Sequence, residues 1–457
     1  MRSKVIYQTL LIIALFALHQ GVAHAASIYI LESSPRNMGN AFSGTASSAE
    51  DASTNFFNAA GLTQLDRPTL TVGGNVIIPN VDFRNTGSTA ATGTALQSPL
   101  TGPNDSVDKP IPVPNFFYGL PVNDRISVGL GLNVPFGLES DYDDNWIGRY
   151  HATYSKLTAV NFNSNIAFQI TDRLSVGGGI NYQWLDATLK NEVDSFDACV
   201  AARDAAGQPT PVANCSTNPA LSGFANRADD SSIKIDGSDM GVGLNAGLLY
   251  EFDENTRIGL SWRQGVDYDL TGRVTFDRSN ACNSSACAAA LVDSRITASL
   301  ELPDIVTLSA THGINDHWRV DADIVWHSWD SIQAVNINRP NGQNVATLDL
   351  QYENTMRYSL GASYSGFRKL VLRTGVLYDE SPVPNAEALT PRIPDNDRTW
   401  FTIGASYTLT DDITIDMSYA HLFVNRSRIN NTQQGHTLTG EFDPAVDILA
   451  IGGSWRF

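Results

Sequence analysis

The sequence predicts an all-β protein: a transmembrane antiparallel β-barrel of about fourteen strands, with a stretch of chain before the first strand plugging its lumen. Three observations lead there. Long segments alternate apolar and polar residues with the two-residue period of a strand. Tight turns and longer polar loops take turns between them, and one early segment shows no alternation at all.

The alternation is plainest from Arg257. One parity reads Ile258, Leu260, Trp262, Val266, Tyr268 and Leu270, and the other reads Arg257, Gly259, Ser261, Arg263, Gly265, Asp267 and Asp269. Phe162, Ile166, Phe168 and Ile170 stand likewise against Asn161, Asn163, Asn165 and Gln169. Ile413, Ile415, Met417, Tyr419 and Phe423 stand against Thr414, Asp416 and Ser418. Runs of about ten residues match a tilted membrane strand, whereas a soluble sandwich uses five or six. Arg and Asp on the polar face suit a wet or plugged lumen. No stretch supplies the roughly 20 consecutive apolar residues of a spanning helix.

Tight turns are read at Val122-Asn123-Asp124-Arg125, Thr171-Asp172-Arg173, Asp253-Glu254-Asn255-Thr256, Asn315-Asp316-His317, Gly366-Phe367-Arg368 and Thr410-Asp411-Asp412. Longer polar segments lie between them, the longest from about Asn191 to Ser232. Short periplasmic turns and long extracellular loops are what such a barrel requires. The last strand carries Leu449, Ile451, Gly453, Trp455 and Phe457 on one face. Its terminal aromatic resembles the carboxy-terminal signal read by the outer-membrane barrel assembly machinery. His421 falls on the outward parity and reads as a girdle residue.

The ends and the composition set the address. Arg2 and Lys4 precede an apolar run from Leu10 to Leu18, and Ala23-His24-Ala25 offers a signal-peptidase site. Residues 1–25 therefore read as a signal peptide, 26–67 as a plug and 68–457 as the barrel, in a bacterial outer membrane among its lipid and lipopolysaccharide. Asp and Glu number 48 against 30 Lys and Arg, a formal charge of −18. That balance argues against nucleic acid, whose phosphates need clustered cations, and against anionic phospholipid. Cys199 and Cys215, and Cys282 and Cys287, form two local pairs without accompanying His, which favours loop disulfides over a metal site. No H-E-x-x-H, G-x-S-x-G or paired His and Ser motif is present. No enzyme, metal or cofactor is expected, and the chain reads as a monomer.

The segment from Ala26 to Arg67 runs Gly39-Asn40-Ala41-Phe42-Ser43-Gly44, Ala49-Glu50-Asp51-Ala52 and Asn58-Ala59-Ala60-Gly61-Leu62. It reads as short helical turns, either a periplasmic extension or a plug, and a lumen of fourteen strands is wider than side chains alone usually fill. These motifs resemble the amino-terminal hatch of the FadL family of outer-membrane transporters for long-chain fatty acids and other hydrophobic compounds. Asp66-Arg67-Pro68-Thr69, Pro135-Phe136-Gly137-Leu138, Trp146-Ile147-Gly148-Arg149-Tyr150, Ser381-Pro382-Val383-Pro384 and Ile393-Pro394-Asp395-Asn396-Asp397-Arg398 extend the likeness over nearly the whole chain.

The resemblance implies passive uptake, with ligand passing from extracellular loops to a pocket, past a moving hatch and out sideways beside a kinked third strand. It places gating on Gly44, Asp51, Asn58 and Ala59, the last standing where the family usually has proline. Pro135 and Gly137 become kink candidates, since proline lacks a ladder donor and glycine weakens pairing; they can equally end a strand. Fatty-acid members hold the carboxylate with two basic side chains, and alignment puts Asn191 and Leu348 there. Lys190, Arg149 or another base would have to substitute, with Phe136 nearby, or else the ligand is a neutral aromatic hydrocarbon. An open porin or a structural or adhesin barrel is the remaining alternative.

Overall fold

A computed structural model of the chain describes residues 28–91, 100–195, 198, 230–283 and 287–457. The expected signal peptide, and Cys199 with Cys215, lie outside the described residues. Cys282 and Cys287 form a disulfide.

Fourteen antiparallel strands among the described residues close into a barrel. They are β1 (Thr69–Asn85), β2 (Ile111–Asn123), β3 (Ile126–Asp141), β4 (Tyr154–Thr171), β5 (Leu174–Val193) and β6 (Ser231–Glu251). Next come β7 (Thr256–Arg263 and Asp267–Asp277), β8 (Ser294–Glu301 and Ile305–Gly313), β9 (Trp318–His327 and Ala334–Asn338) and β10 (Asn344–Asp349 and Thr355–Phe367). The circuit ends with β11 (Leu370–Asp379), β12 (Arg398–Thr410), β13 (Ile413–Val424 and Ser427–Gln433) and β14 (His436–Arg456). Pairing of β14 with β1, from Thr69 opposite Arg456 to Asn85 opposite Gly440, leaves no free edge there. All six turns read from the sequence join consecutive strands at one end of the barrel. At the other end the connections are mostly long. The exception between β13 and β14 is only Gln434-Gly435, both at positive φ (50° and 82°) as a tight hairpin demands.

Alternation builds two storeys. In the lower part Phe162, Ile166, Leu244 and Met417 face outward and are exposed, as suits lipid, while Asn161, Asn163, Asn181 and Asn245 are buried inside. In the upper part the preference reverses. Leu185, Ile233 and Ile235 point inward, and Lys190 and Lys234 point outward.

Where the sequence pattern does not reverse by itself, the backbone inserts a residue. In β7 the partners of β6 shift from Asn245 opposite Arg263 to Ser238 opposite Thr271, a slip of one residue. Tyr268 and Leu270 are consequently buried inside rather than sharing the outward face of Leu260, as the simple parity implied. The cause is the break at Gln264-Gly265-Val266, because one extra residue exchanges the faces of everything beyond it. In β3 the same slip lies between Asn133, opposite Asn161, and Phe136, opposite Ala159. Pro135 and Gly137 are thus internal to the strand, which continues to Asp141.

Candidate functional site

Residues 28–65 lie within the barrel and are almost entirely buried. Their short turns follow from local chemistry. Ser34 Oγ accepts from Asn37 N (3.3 Å), and Pro35 sits in the first turn of Pro35–Met38, where its missing N–H costs nothing. Gly44 has φ 74°, and a Cβ there would stand 2.7 Å from Asp321 Oδ1, so glycine is required twice over.

The segment is tied to the wall at many points. Asp323 on β9 accepts from Gly44 N (2.6 Å), Thr45 N (3.1 Å) and Thr45 Oγ1 (2.5 Å). Glu50 meets Arg319 and Arg373, the latter at 3.0 Å, and Arg36 reaches Asp416 (3.1 Å) and Asp51 (3.4 Å). Asn58 serves two purposes with one amide. Its Oδ1 accepts from Ala60 N (3.0 Å) and caps the turn Ala59–Gln64, while Nδ2 donates to Ala46 O (2.7 Å) and to Leu248 O on β6 (3.1 Å). Ala59 packs where β5 offers Gly177, whose Cβ would lie 2.6 Å from the Ala59 carbonyl carbon.

Glu32 is fully buried, and neither carboxylate oxygen has a hydrogen-bond partner among the described residues. Burial pushes its pKa up to about 7. A raised carboxyl pKa means the fold holds the proton more tightly than the unfolded chain. Stability is therefore lost as pH rises from the ordinary carboxylate range through about 7. Glu32→Gln is expected to raise the denaturation midpoint at pH 9 and to leave it nearly unchanged at pH 4, in matched guanidinium titrations.

At the upper break of β3 the barrel wall is incomplete. β2 pairs with β3 only from Phe116 to Asn123, although it continues beside β1 up to Ile111. Above Leu132 the inner edge of β3 turns to residues 28–30 instead. Ile30 N donates to Pro135 O (2.8 Å) and Gly137 N to Ile28 O (2.7 Å). The unmatched stretch of β2 carries Pro112 and Pro114, which have no N–H to give a second neighbour.

Above the inner segment the upper lumen holds an apolar cavity bounded by Ile28, Leu138, Leu157, Leu189, Ile235, Leu270, Leu300, Ile337 and Leu348. Two cations border it. Lys156 Nζ is 3.5 Å from Glu139, whereas Arg392 is buried with no carboxylate within ion-pair distance among the described residues. Arg392 Nη1 donates to Ser155 Oγ (2.9 Å) and the Lys190 carbonyl (3.3 Å), and Nη2 to Asn191 Oδ1 (3.1 Å), all neutral oxygens. Burial lowers its pKa from the usual arginine range.

The family described as outer membrane protein transport protein (OMPP1/FadL/TodX) matches residues 16–457. The chain belongs to this family. Outer membrane protein P1 of Haemophilus influenzae is 30% identical over 425 residues, covering 91% of this chain and 89% of that one. The long-chain fatty acid transport protein of Escherichia coli K12 is 26% identical, with 94% and 95% covered. Among solved structures, a Pseudomonas aeruginosa FadL homologue superposes with TM-score 0.83 at 21% identity, covering 94% of this chain and all of that one. The Pseudomonas putida toluene transporter TodX gives 0.67 at 20% identity, covering 94% and 99%. As an OMPP1/FadL/TodX protein the chain is an outer-membrane transport protein.

The candidate ligand residues separate. Phe136 is buried beside Tyr29, with ring centroids 5.3 Å apart. Lys190 is exposed on the outward parity of β5, its amine 5.2 Å from the Tyr154 ring, so only its carbonyl reaches Arg392. Arg149 is buried in the loop between β3 and β4, bonded to Asp230 (3.3 Å), the Thr101 carbonyl (3.0 Å) and Tyr150 Oη (2.9 Å). Neither side chain borders the apolar cavity. Asn191 and Leu348 do meet there, one through Arg392 and one as lining. Arg392 went unremarked in the sequence because it sits in a loop without periodicity, immediately before Ile393-Pro394.

Proposed function

We propose that the protein carries long-chain fatty acids or similarly hydrophobic molecules across the outer membrane by passive diffusion. The inner segment acts as the hatch, with Gly44, Asp51, Asn58 and Ala59 in its movable contacts. Ligand leaves sideways between β2 and β3, where Pro135 and Gly137 kink the strand. The exported precursor loses residues 1–25, and the mature chain works as a monomer among lipopolysaccharide. The reading is carried by Arg392: an apolar cavity bordered by a guanidinium without a counter-ion is suited to a long chain ending in a carboxylate. The E. coli relative, a long-chain fatty acid transport protein, supports the same cargo.

Uptake of neutral aromatic hydrocarbons is the second reading, favoured by the otherwise apolar lining. Binding of oleate and of toluene to the purified protein separates the two. Arg392→Met is expected to weaken oleate binding by about 100-fold and to leave toluene unchanged. If wild type binds neither probe, and deletion of the gene leaves uptake of both unaltered, the transport reading fails.

A further inference from the structure

His327 ends the lower half of β9 and is only 2% exposed, yet neither ring nitrogen has a hydrogen-bond partner among the described residues. A buried imidazole without partners forfeits the hydrogen bonds it made in water, and such buried groups are rare in folded proteins. Its surroundings are aromatic. The Tyr29 ring lies 5.3 Å away, and Trp329 stacks at 6.2 Å. Phe136 touches both Tyr29 (5.3 Å) and Trp329 (6.4 Å).

This box adjoins the apolar cavity. Trp329 packs on Tyr352 (6.1 Å), which with Ile28 belongs to the cavity lining. Phe136 and Tyr29 are also the residues that bridge the inner segment to β3, at the stretch that β2 leaves unpaired. A cation stands over Tyr29: the Arg357 guanidinium is 5.8 Å from that ring, buried, and without a carboxylate at ion-pair distance among the described residues. The box thus combines a donor and acceptor in want of a partner, a positive field and flat apolar walls, beside the gap in the wall.

We propose that His327, with Arg357 behind it, is a second station for the ligand's oxygen-bearing head group. It lies deeper than Arg392 and next to the lateral gap. The neutral ring donates one hydrogen bond and accepts one, so it accommodates a carboxylate, a carboxylic acid or a hydroxyl, and offers nothing to a hydrocarbon. The station makes the protein selective among hydrophobic molecules of equal length, preferring those with a polar end. This inference rests on the transport reading above.

The test is a tryptophan-fluorescence titration of the purified full-length barrel in detergent, with oleate and with 1-heptadecene as probes. His327→Phe keeps the aromatic volume and removes both nitrogens. It is expected to weaken oleate binding by about tenfold and to leave 1-heptadecene within about twofold. His327→Gln, which retains a donor and an acceptor, is expected to recover most of the loss. Equal losses for both probes would show a packing role and overturn the station, as would unchanged oleate binding. A wild-type protein that binds neither probe removes the long-chain cargo on which the station rests. Wild-type binding of oleate that His327→Phe leaves intact removes the station alone.

Discussion

Asp323→Ala is expected to open a steady ion leak through the barrel. Asp323 projects from β9 into the lumen and is 3% exposed. Four donors converge on it: Gly44 N, Thr45 N, Thr45 Oγ1 and, from the neighbouring strand β8, Ser309 Oγ (2.5 Å). Two of them are the backbone amides of Gly44 and Thr45, at a turn that glycine alone can make. Alanine would strand these donors, each at a cost of about 1–3 kcal/mol. The sum, on the order of 3–5 kcal/mol after allowing for non-additivity, falls on the attachment of the inner segment and not on the strand ladder. Ser47, which meets Ser309 (2.9 Å) and Thr311 (2.7 Å), is too weak an anchor to hold the same turn alone. Single-channel recordings in planar bilayers should show sustained conductance for Asp323→Ala, less for Asp323→Asn, and almost none for wild type. A folded Asp323→Ala barrel as silent as wild type would mean that the segment is held elsewhere.

The barrel was legible because lipid imposes a simple rule on each strand, and the rule survives in sequence as alternation. Legibility failed where geometry and parity part company. Val266, Tyr268 and Leu270 continue the outward series of Ile258 on paper, but one extra residue at the break turns Tyr268 and Leu270 inward. No periodicity marks such a slip beforehand. Pro135 did carry a signal, as a residue without a ladder donor, whereas Pro112 and Pro114 across the same seam were not singled out in the sequence. The cavity's cation was hidden for a different reason. Alignment pointed to two positions at the cavity, since Leu348 lines it and Asn191 bonds to Arg392. Linear adjacency then suggested Lys190, whose side chain the strand parity sends outward. A loop residue some 200 positions downstream supplies the charge instead, with a sequence separation of 201 between Arg392 and Asn191. Asn58 both caps a turn and ties the segment to the wall, through the two ends of one amide.

Deleting Pro135 is expected to abolish most uptake while leaving ligand binding intact. Below the slip Asn133 pairs with Asn161, and above it Phe136 pairs with Ala159, so β3 carries one residue more than β4 over this stretch. Removing that residue restores a continuous ladder. It also preserves the faces beyond, because Phe136 and Leu138 then remain inward by ordinary alternation. The variant should therefore fold, and the cavity walls contributed by β3 should stay where they are. What changes is the seam. A straight β3 has no reason to bend away from β2 at Leu132, and its edge would lie closer to the stretch from Ile111 to Asn115, narrowing the gap although Pro112 and Pro114 give it no N–H. Residues 28–30 would lose the acceptor at Pro135 and keep the bond from Gly137 N to Ile28 O, so that Ile28 stays in the cavity wall. The expected result is an oleate dissociation constant within about threefold of wild type, with oleate uptake by cells at limiting concentration reduced by at least about tenfold. Binding and uptake falling together would indicate a disturbed cavity. Uptake that persists at the wild-type rate would show that ligand leaves by another path, through the lumen beneath the inner segment.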